Sequence, residues 1–442
     1  MPSFIPPIAP AAPSASQSRL AGWLRGTAQL LVIAAALLFL LLAVHMDRDW
    51  AGRHLLPDIL VASDWLMAII QAERAILLLL ALLLLLAVFP RPGRSPAQRG
   101  DAALLSLRIG AMILLALPAS EVVRQFFSGR NGQPWNQGDQ PLRRPDATLG
   151  WVTIPGRRAL DPEFPWRPLY VIDRHGYRVA APGLTVDTAA PSILFVGESI
   201  MFGKGLAWDQ SVAGLLQRQS GIQSANLSVT AYSAGQTFLR LRQELPRFRR
   251  PVAVVILFAP TLLVRDLDRT RPWFDSAGHL HPAQRGWNLT RLAHVLFPYR
   301  SPAAIAEAVA TDRRLLLTAV AMVRARGAVP IVLVPVFQPE PARERELHAA
   351  IFDHAPIPHL VVPLGRDWRL LPDFHPDAHA NAVMAAALWA RLKNDPQAAV
   401  LMKNSLAFAN SSCSEVAAAD RQGDHSREPR RCHAERRPSG AP

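Results

Sequence analysis

Cysteine is almost missing from this 442-residue chain: there are two, Cys413 and Cys432, both near its end. So few thiols exclude a disulfide-knit scaffold, and neither cysteine sits in a metal-ligand spacing. A bridge between them in an oxidising compartment would close only tail sequence. No cluster of His and Asp suggests a metal either, so no metal and no cofactor are expected. A nucleic-acid recognition motif is also lacking. The formal charge of +14, carried mostly by arginine, would otherwise invite that partner. The arginines are scattered, a solvated basic surface accounts for them, and no nucleic acid is expected.

Long apolar runs are present. Leu30 to Val44 is unbroken apolar sequence, as is Ala75 to Phe89; Ala102 to Ala119 is interrupted by Ser106, Arg108 and small residues. A membrane helix needs roughly 20 mostly apolar residues. Three spans are therefore expected, with the second reaching back past Glu73 and Arg74, which read as an interfacial pair. A cleaved signal peptide fits poorly, because hydrophobic segments follow the first. Arg19 and Arg25 precede span one, and Arg91, Arg94 and Arg99 fill the loop after span two. By the positive-inside rule these sides are cytoplasmic, which places the chain beyond about residue 120 outside. Should the third run be peripheral, the main domain flips to the cytoplasm.

Composition divides the rest. Residues 1–18, rich in Pro, Ala and Ser, read as disordered; 19–120 as the membrane region; 121–145 as a polar linker. Residues 146–190 read as a small β region, with short strands in WVTI, PLYVI and YRVA. From 191 to 395 apolar runs alternate with amphipathic stretches. The strands are ILFV (193–196), ANLSV (225–229), VAVVILF (252–258), VPIVLVPVF (329–337) and HLVVPL (359–364). A helix is expected after Asp209 as its N-cap, another over Ala303 to Ala325, another over Ala378 to Leu392. Such alternation predicts an α/β domain, a parallel sheet covered on both faces. Residues 265–300 read as an insertion near its functional end, and 396–442 as a disordered tail. Ligands of such sheets bind at the carboxyl ends of strands.

One stretch there raises a question: SILFVGESIMFGKGL, Ser192 to Leu206. A phosphate loop needs four residues between its glycines and a hydroxyl residue after the lysine. Here five separate Gly197 from Gly203, and Gly205 follows Lys204. The sharp G-x-S-x-G elbow is excluded by Met201 in the last glycine position. What remains is a serine, Ser199, on a looser turn after the first strand. A nucleophilic serine needs a base from another carboxyl-edge loop and backbone donors for an oxyanion. Late in the chain, PDFHPDAH supplies His375, with Asp373 two residues before it to orient the imidazole. The plainer readings are a helix-capping serine, a loop histidine and a capping acid. Asn226 reads as fixing a turn, and His379 as no metal ligand.

FVGESIMFGKG resembles the first block of the SGNH/GDSL hydrolases, with Gly197-Glu198-Ser199 where Gly-Asp-Ser is usual. ANLSVTAYSAGQ is similar to their second block, and PDFHPDA to their last. The upstream DATLGWVTIPG…YVIDRHGYRV is similar to a β region that precedes this domain in membrane-attached bacterial members. The resemblance covers roughly residues 146–393. It implies a three-layer α/β/α domain behind N-terminal transmembrane helices, in a bacterial inner membrane with the domain periplasmic. It implies Ser199 as nucleophile and oxyanion donor, His375 as base and Asp373 as its acid. Ala231 falls where the second-block glycine stands and would offer its amide. The third-block Asn is absent from ILFAPTLLVRD, where Thr261 could substitute a hydroxyl. The expected function is a membrane-anchored serine esterase acting on an ester or acylated glycan. The alternatives are an O-acyltransferase on an envelope glycan and a non-catalytic envelope protein on the same fold.

Overall fold

The computed structural model describes residues 15–47, 50, 54, 63–88, 104, 105, 107, 110, 142–267, 269–284, 301–371 and 373–407. They form two units.

The first unit holds two long helices, Ala15–His45 and Ser63–Val88. They run antiparallel: Ala28 and Val32 meet Leu84, while Leu42 and Met46 meet Met67, Ile70 and Leu77. Among the described residues one helix is long and apolar enough to cross a membrane, Gly22–His45. Of the three expected spans, this one alone meets that test among the described residues. In the second helix Asp64, Glu73 and Arg74 occupy the first half, and its uncharged remainder, Ala75 to Val88, spans only about 21 Å. Most of the third expected span lies outside the described residues, as do 1–14, most of the 121–145 linker and 285–300.

The second unit is a mixed α/β layer structure. Five parallel strands form its centre: β6 (Pro191–Val196), β7 (Gln223–Asn226), β8 (Arg250–Leu257), β11 (Val329–Phe337) and β12 (His359–Leu364). Their order across the sheet is β12-β11-β8-β6-β7. The chain therefore reverses direction of winding between β6 and β8. Such a switch point opens a crevice at the strands' carboxyl ends. Alternate residues of one strand feed opposite layers. Leu194 and Val196 pack beneath helices Ala234–Glu244 and Pro302–Ala325; Ile193 and Phe195 pack against Val212–Ser220 and Ala378–Asn394. Burial on both faces is why these strands read as unbroken apolar runs.

The expected β region continues this sheet rather than standing apart from it. Strands β3 (Arg158–Leu160), β4 (Leu169–Ile172) and β5 (Arg178–Val179) add antiparallel, through Arg178 opposite Asn226 of β7. Before them β1 (Arg143–Asp146) and β2 (Gly150–Thr153) form a hairpin. The insertion carries a second hairpin, β9 (Trp273–Phe274) with β10 (Leu280–His281).

Two helix ends differ from expectation. Asp209 lies in a single 3₁₀ turn, and the helix that follows is capped by Ser211, whose hydroxyl accepts from Gly214 N. Residues 396–407 are helical, not a disordered tail. Asp395 accepts from the amides of Gln397 and Ala398, and Ala398 and Met402 are buried in the core. The tail beyond 407 lies outside the described residues.

One core feature is polar. Asp312, 1% exposed on the Pro302–Ala325 helix, faces a small cavity lined by Leu241, Ile256 and Phe258. Among the described residues neither of its carboxylate oxygens is hydrogen-bonded, nor is the Thr237 hydroxyl on the same cavity. Burial first, then the nearby Asp266, pushes the Asp312 carboxyl well above the ordinary range.

Candidate active site

β6 ends on Gly197, Glu198 and Ser199, at the switch point. Gly197 is dictated by proximity: a Cβ there would sit 2.6 Å from Leu257 Cβ on β8. Glu198 caps the short helix Ser199–Phe202, its Oε1 accepting from Ile200 N at 2.9 Å. Gly203 closes that turn at φ 80°, a left-handed conformation that glycine adopts freely. Asn226 of β7 braces the turn through Nδ2 to Met201 O, 3.0 Å. Arg178 of β5 braces it from below. Its guanidinium lies against the rings of Tyr170 and Phe202 and donates to the carbonyls of Phe202, Gly203 and Leu206.

The last expected block meets this turn. Ser199 Oγ lies 2.7 Å from His375 Nε2, across 176 residues of sequence. On the other side of the ring, His375 Nδ1 is 2.7 Å from Asp373 Oδ2, without the in-line geometry of a straight hydrogen bond. Phe374 between them has φ 62°, and this left-handed residue lets an acid two positions upstream reach its histidine. Ser199 and His375 are 4% and 5% exposed, so the pair is almost shielded from bulk solvent.

Lys204 belongs to this group too. Its Nζ is 3.0 Å from Asp373 Oδ2 and also holds Glu163. Burial alone would push the Asp373 carboxyl up; His375 and Lys204 outweigh it and hold that carboxyl below its ordinary value. The glycine-lysine-glycine run thus carries a side chain into the site, beyond making a turn.

A second carboxylate stands against the serine. Glu198, 0% exposed, receives the Ser199 hydroxyl on Oε2. The same oxygen accepts from Arg265 Nη1 at 3.2 Å. Burial would raise the Glu198 carboxyl, but Arg265, then His375, Ser199 and the Ile200 amide, hold it below the usual carboxylate range. Arg265 comes from the helix Pro260–Leu267 after β8, and also donates to Tyr232 O at 3.0 Å. Its neighbour Asp266 accepts from Gly235 N at 3.1 Å.

The two expected oxyanion positions differ. Ala231 follows β7 and has φ 66°. This is the left-handed conformation for which glycine is the natural occupant, and it costs an alanine on the order of 1 kcal/mol. Thr261 is buried in the first turn of the Pro260–Leu267 helix, and among the described residues no hydrogen bond joins it to Ser199 or His375. Sequence reasoning had assigned no role to Glu198, Lys204, Arg265 or Arg178. Their partners are distant in sequence, 67 positions for Arg265 with Glu198 and farther still for Lys204 with Asp373, so local pattern does not reveal them.

An open depression lies beside these residues, with Leu370, Asp377, His379, Trp166, Gly205 and Gln210 among its lining. Among the described residues no three His, Cys, Asp or Glu side chains gather as a metal's ligands would.

No family model matches the chain, and no curated protein does. Several solved structures are similar to it, among them lipolytic proteins of the G-D-S-L family and carbohydrate esterases. TesA aligns with 46% of this chain and 98% of its own, at 20% identity and a TM-score of 0.32. A GDSL-like lipase from Bacteroides thetaiotaomicron covers 45% of this chain and 86% of its own, at 15% identity and a TM-score of 0.28. The acetyl xylan esterase Est2A from Butyrivibrio proteoclasticus covers 48% and 65%, at 12% identity and a TM-score of 0.28.

Proposed function

We propose that this chain is a serine ester hydrolase of the SGNH/GDSL type. The observation that carries the reading is the serine-to-imidazole contact, Ser199 Oγ to His375 Nε2 at 2.7 Å, at the switch point of a parallel sheet. In this reading His375 takes the hydroxyl proton as Ser199 Oγ attacks the ester carbonyl carbon. The ester C–O bond then breaks, and the alcohol leaves with the proton from Nε2. Water, deprotonated by the same nitrogen, cleaves the acyl-serine and restores the hydroxyl. Asp373 holds the ring through Nδ1 and stabilises the transient imidazolium. Oxyanion donors are the amides of Ser199 and Ala231, with the Thr261 hydroxyl a third candidate.

The helix Gly22–His45 supplies the anchoring part of the proposal, a tether to a membrane with the acyl substrate on the outer side. A second reading, transfer of the acyl group to a glycan hydroxyl, is favoured by the near-complete burial of Ser199 and His375. A site that excludes water lets a bound alcohol compete for the acyl-serine. The test is a fluorophosphonate probe on the full-length chain, followed by a short-chain aryl ester. Wild type should be labelled and active, and Ser199→Ala should be neither. Labelling that persists in Ser199→Ala would sink the assignment.

A further inference from the structure

The nucleophile's hydroxyl has two acceptors and one proton. Ser199 Oγ touches His375 Nε2 on one side and Glu198 Oε2 on the other. A serine offers a single O–H. A hydroxyl that gives this proton to Glu198 cannot give it to the imidazole. Charge adds to the difficulty. Attack on a carbonyl builds negative charge beside Oγ, and Glu198 is a fully buried carboxylate at that point. In a low-dielectric site an uncompensated like charge so close opposes the transition state.

The compensating cation is Arg265. Its Nη1 reaches Glu198 Oε2, the very oxygen that contacts the serine, and the carbonyl of Tyr232 next to Ala231. One guanidinium therefore links the loops after β6 and β7 from a helix that follows β8. The surroundings of Glu198 offer other charges. His375 faces it from the 370–377 loop, and behind His375 stand Asp373 and Lys204. Asp266, one residue from Arg265, turns to Gly235 N, and Asp312 lies near Asp266. Arg271 reaches Ala231 O.

We propose that Arg265 is a positioning residue for Ser199: it neutralises the buried Glu198 carboxylate and weakens its hold on the serine hydroxyl, so that the proton can pass to His375 and negative charge can develop at the carbonyl. This rests on the hydrolase reading above, and it accounts for a helix that lacks the expected Asn yet still serves the site.

The test uses the full-length chain, an aryl acetate and four variants: Arg265→Met, Arg265→Lys, Glu198→Gln and the Arg265→Met/Glu198→Gln double. At pH 8, Arg265→Met should lose on the order of 10²–10³ in kcat/KM, the scale of a lost charge partner or oxyanion donor. Its loss should shrink as pH falls, because unpaired Glu198 takes up a proton. Infrared spectra should show a new protonated-carboxyl C=O band at neutral pH, absent from the double variant. The double variant should recover to within about tenfold of Glu198→Gln, since removing both charges leaves nothing to compensate. Arg265→Lys should fall between wild type and Arg265→Met. A role confined to packing predicts no rescue by Glu198→Gln and no carboxyl band. An active wild type with Arg265→Met within threefold of it, or a folded double variant no better than Arg265→Met, overturns this inference alone. A wild type inert to probe and ester overturns the hydrolase reading and this one with it.

Discussion

Lys204 turns a misleading motif into a working residue. In the proposed mechanism Asp373 needs its charge to hold an imidazolium, and it keeps that charge because His375 and Lys204 lower its carboxyl against the effect of burial. For an acid lowered in this way, the benefit is present at high pH and lost as pH falls through its folded value. Without Lys204 that value rises, so Lys204→Met should move the acid-side decline of kcat/KM upward. One unit of movement corresponds to roughly tenfold at a pH within the decline. A pH–rate profile superimposable on wild type would refute the role. At this scale strand-edge position and residue type nominate Ser199, His375 and Asp373, and the fold brings the three side chains together. Ala231 was legible by position, and its left-handed φ explains why a glycine is the usual occupant. Glu198 and Arg265 were not, since an ion pair across 67 residues leaves no local periodicity behind.

The elements of the α/β unit followed from pattern. All five expected parallel strands are present within a few residues of their expected ends, because burial on both faces writes continuous apolar runs. What sequence could not supply was which strands lie adjacent, and therefore that β3 to β5 extend the same sheet. The C-terminal helix was misread for a related reason. In residues 396–407 the apolar run Ala398 to Met402 is too brief to display a helical period by itself, and it merges into the polar, charged sequence beyond 408. Ala398 and Met402 nevertheless fill the layer beneath β6 and β8. A chain ending at residue 395 should therefore lose about 2–4 kcal/mol of stability, comparable with deleting a buried methionine side chain and its neighbours. A chain ending at residue 408 should melt like the full-length protein. Equal melting temperatures for the two truncations would show that the helix contributes nothing.

At the scale of the whole molecule, the buried acids set a pH dependence. Burial pushes Asp266 up to about 6, and Asp312 is raised further by burial and by Asp266. Between the unfolded value near 4 and these raised values, the folded chain binds more protons than the unfolded one. Stability from this source is therefore greatest at acid pH and falls as pH rises through that window. Asp312→Asn removes the repulsion and the buried charge. Melting at pH 8 should rise, by an amount equivalent to about 1–3 kcal/mol, and the gap between pH 5 and pH 8 should narrow. An unchanged gap would count against the pair. In the membrane region, length and apolarity single out one of the three expected helices among the described residues. A last consequence concerns modularity. Because the guanidinium of Arg178, a residue of the antiparallel extension, grips three carbonyls of the turn behind Ser199, that extension is not detachable trim. Recombination that exchanged residues 143–180 for another chain's equivalent would carry off a clamp on the Ser199 turn, so the two segments must be inherited as one piece.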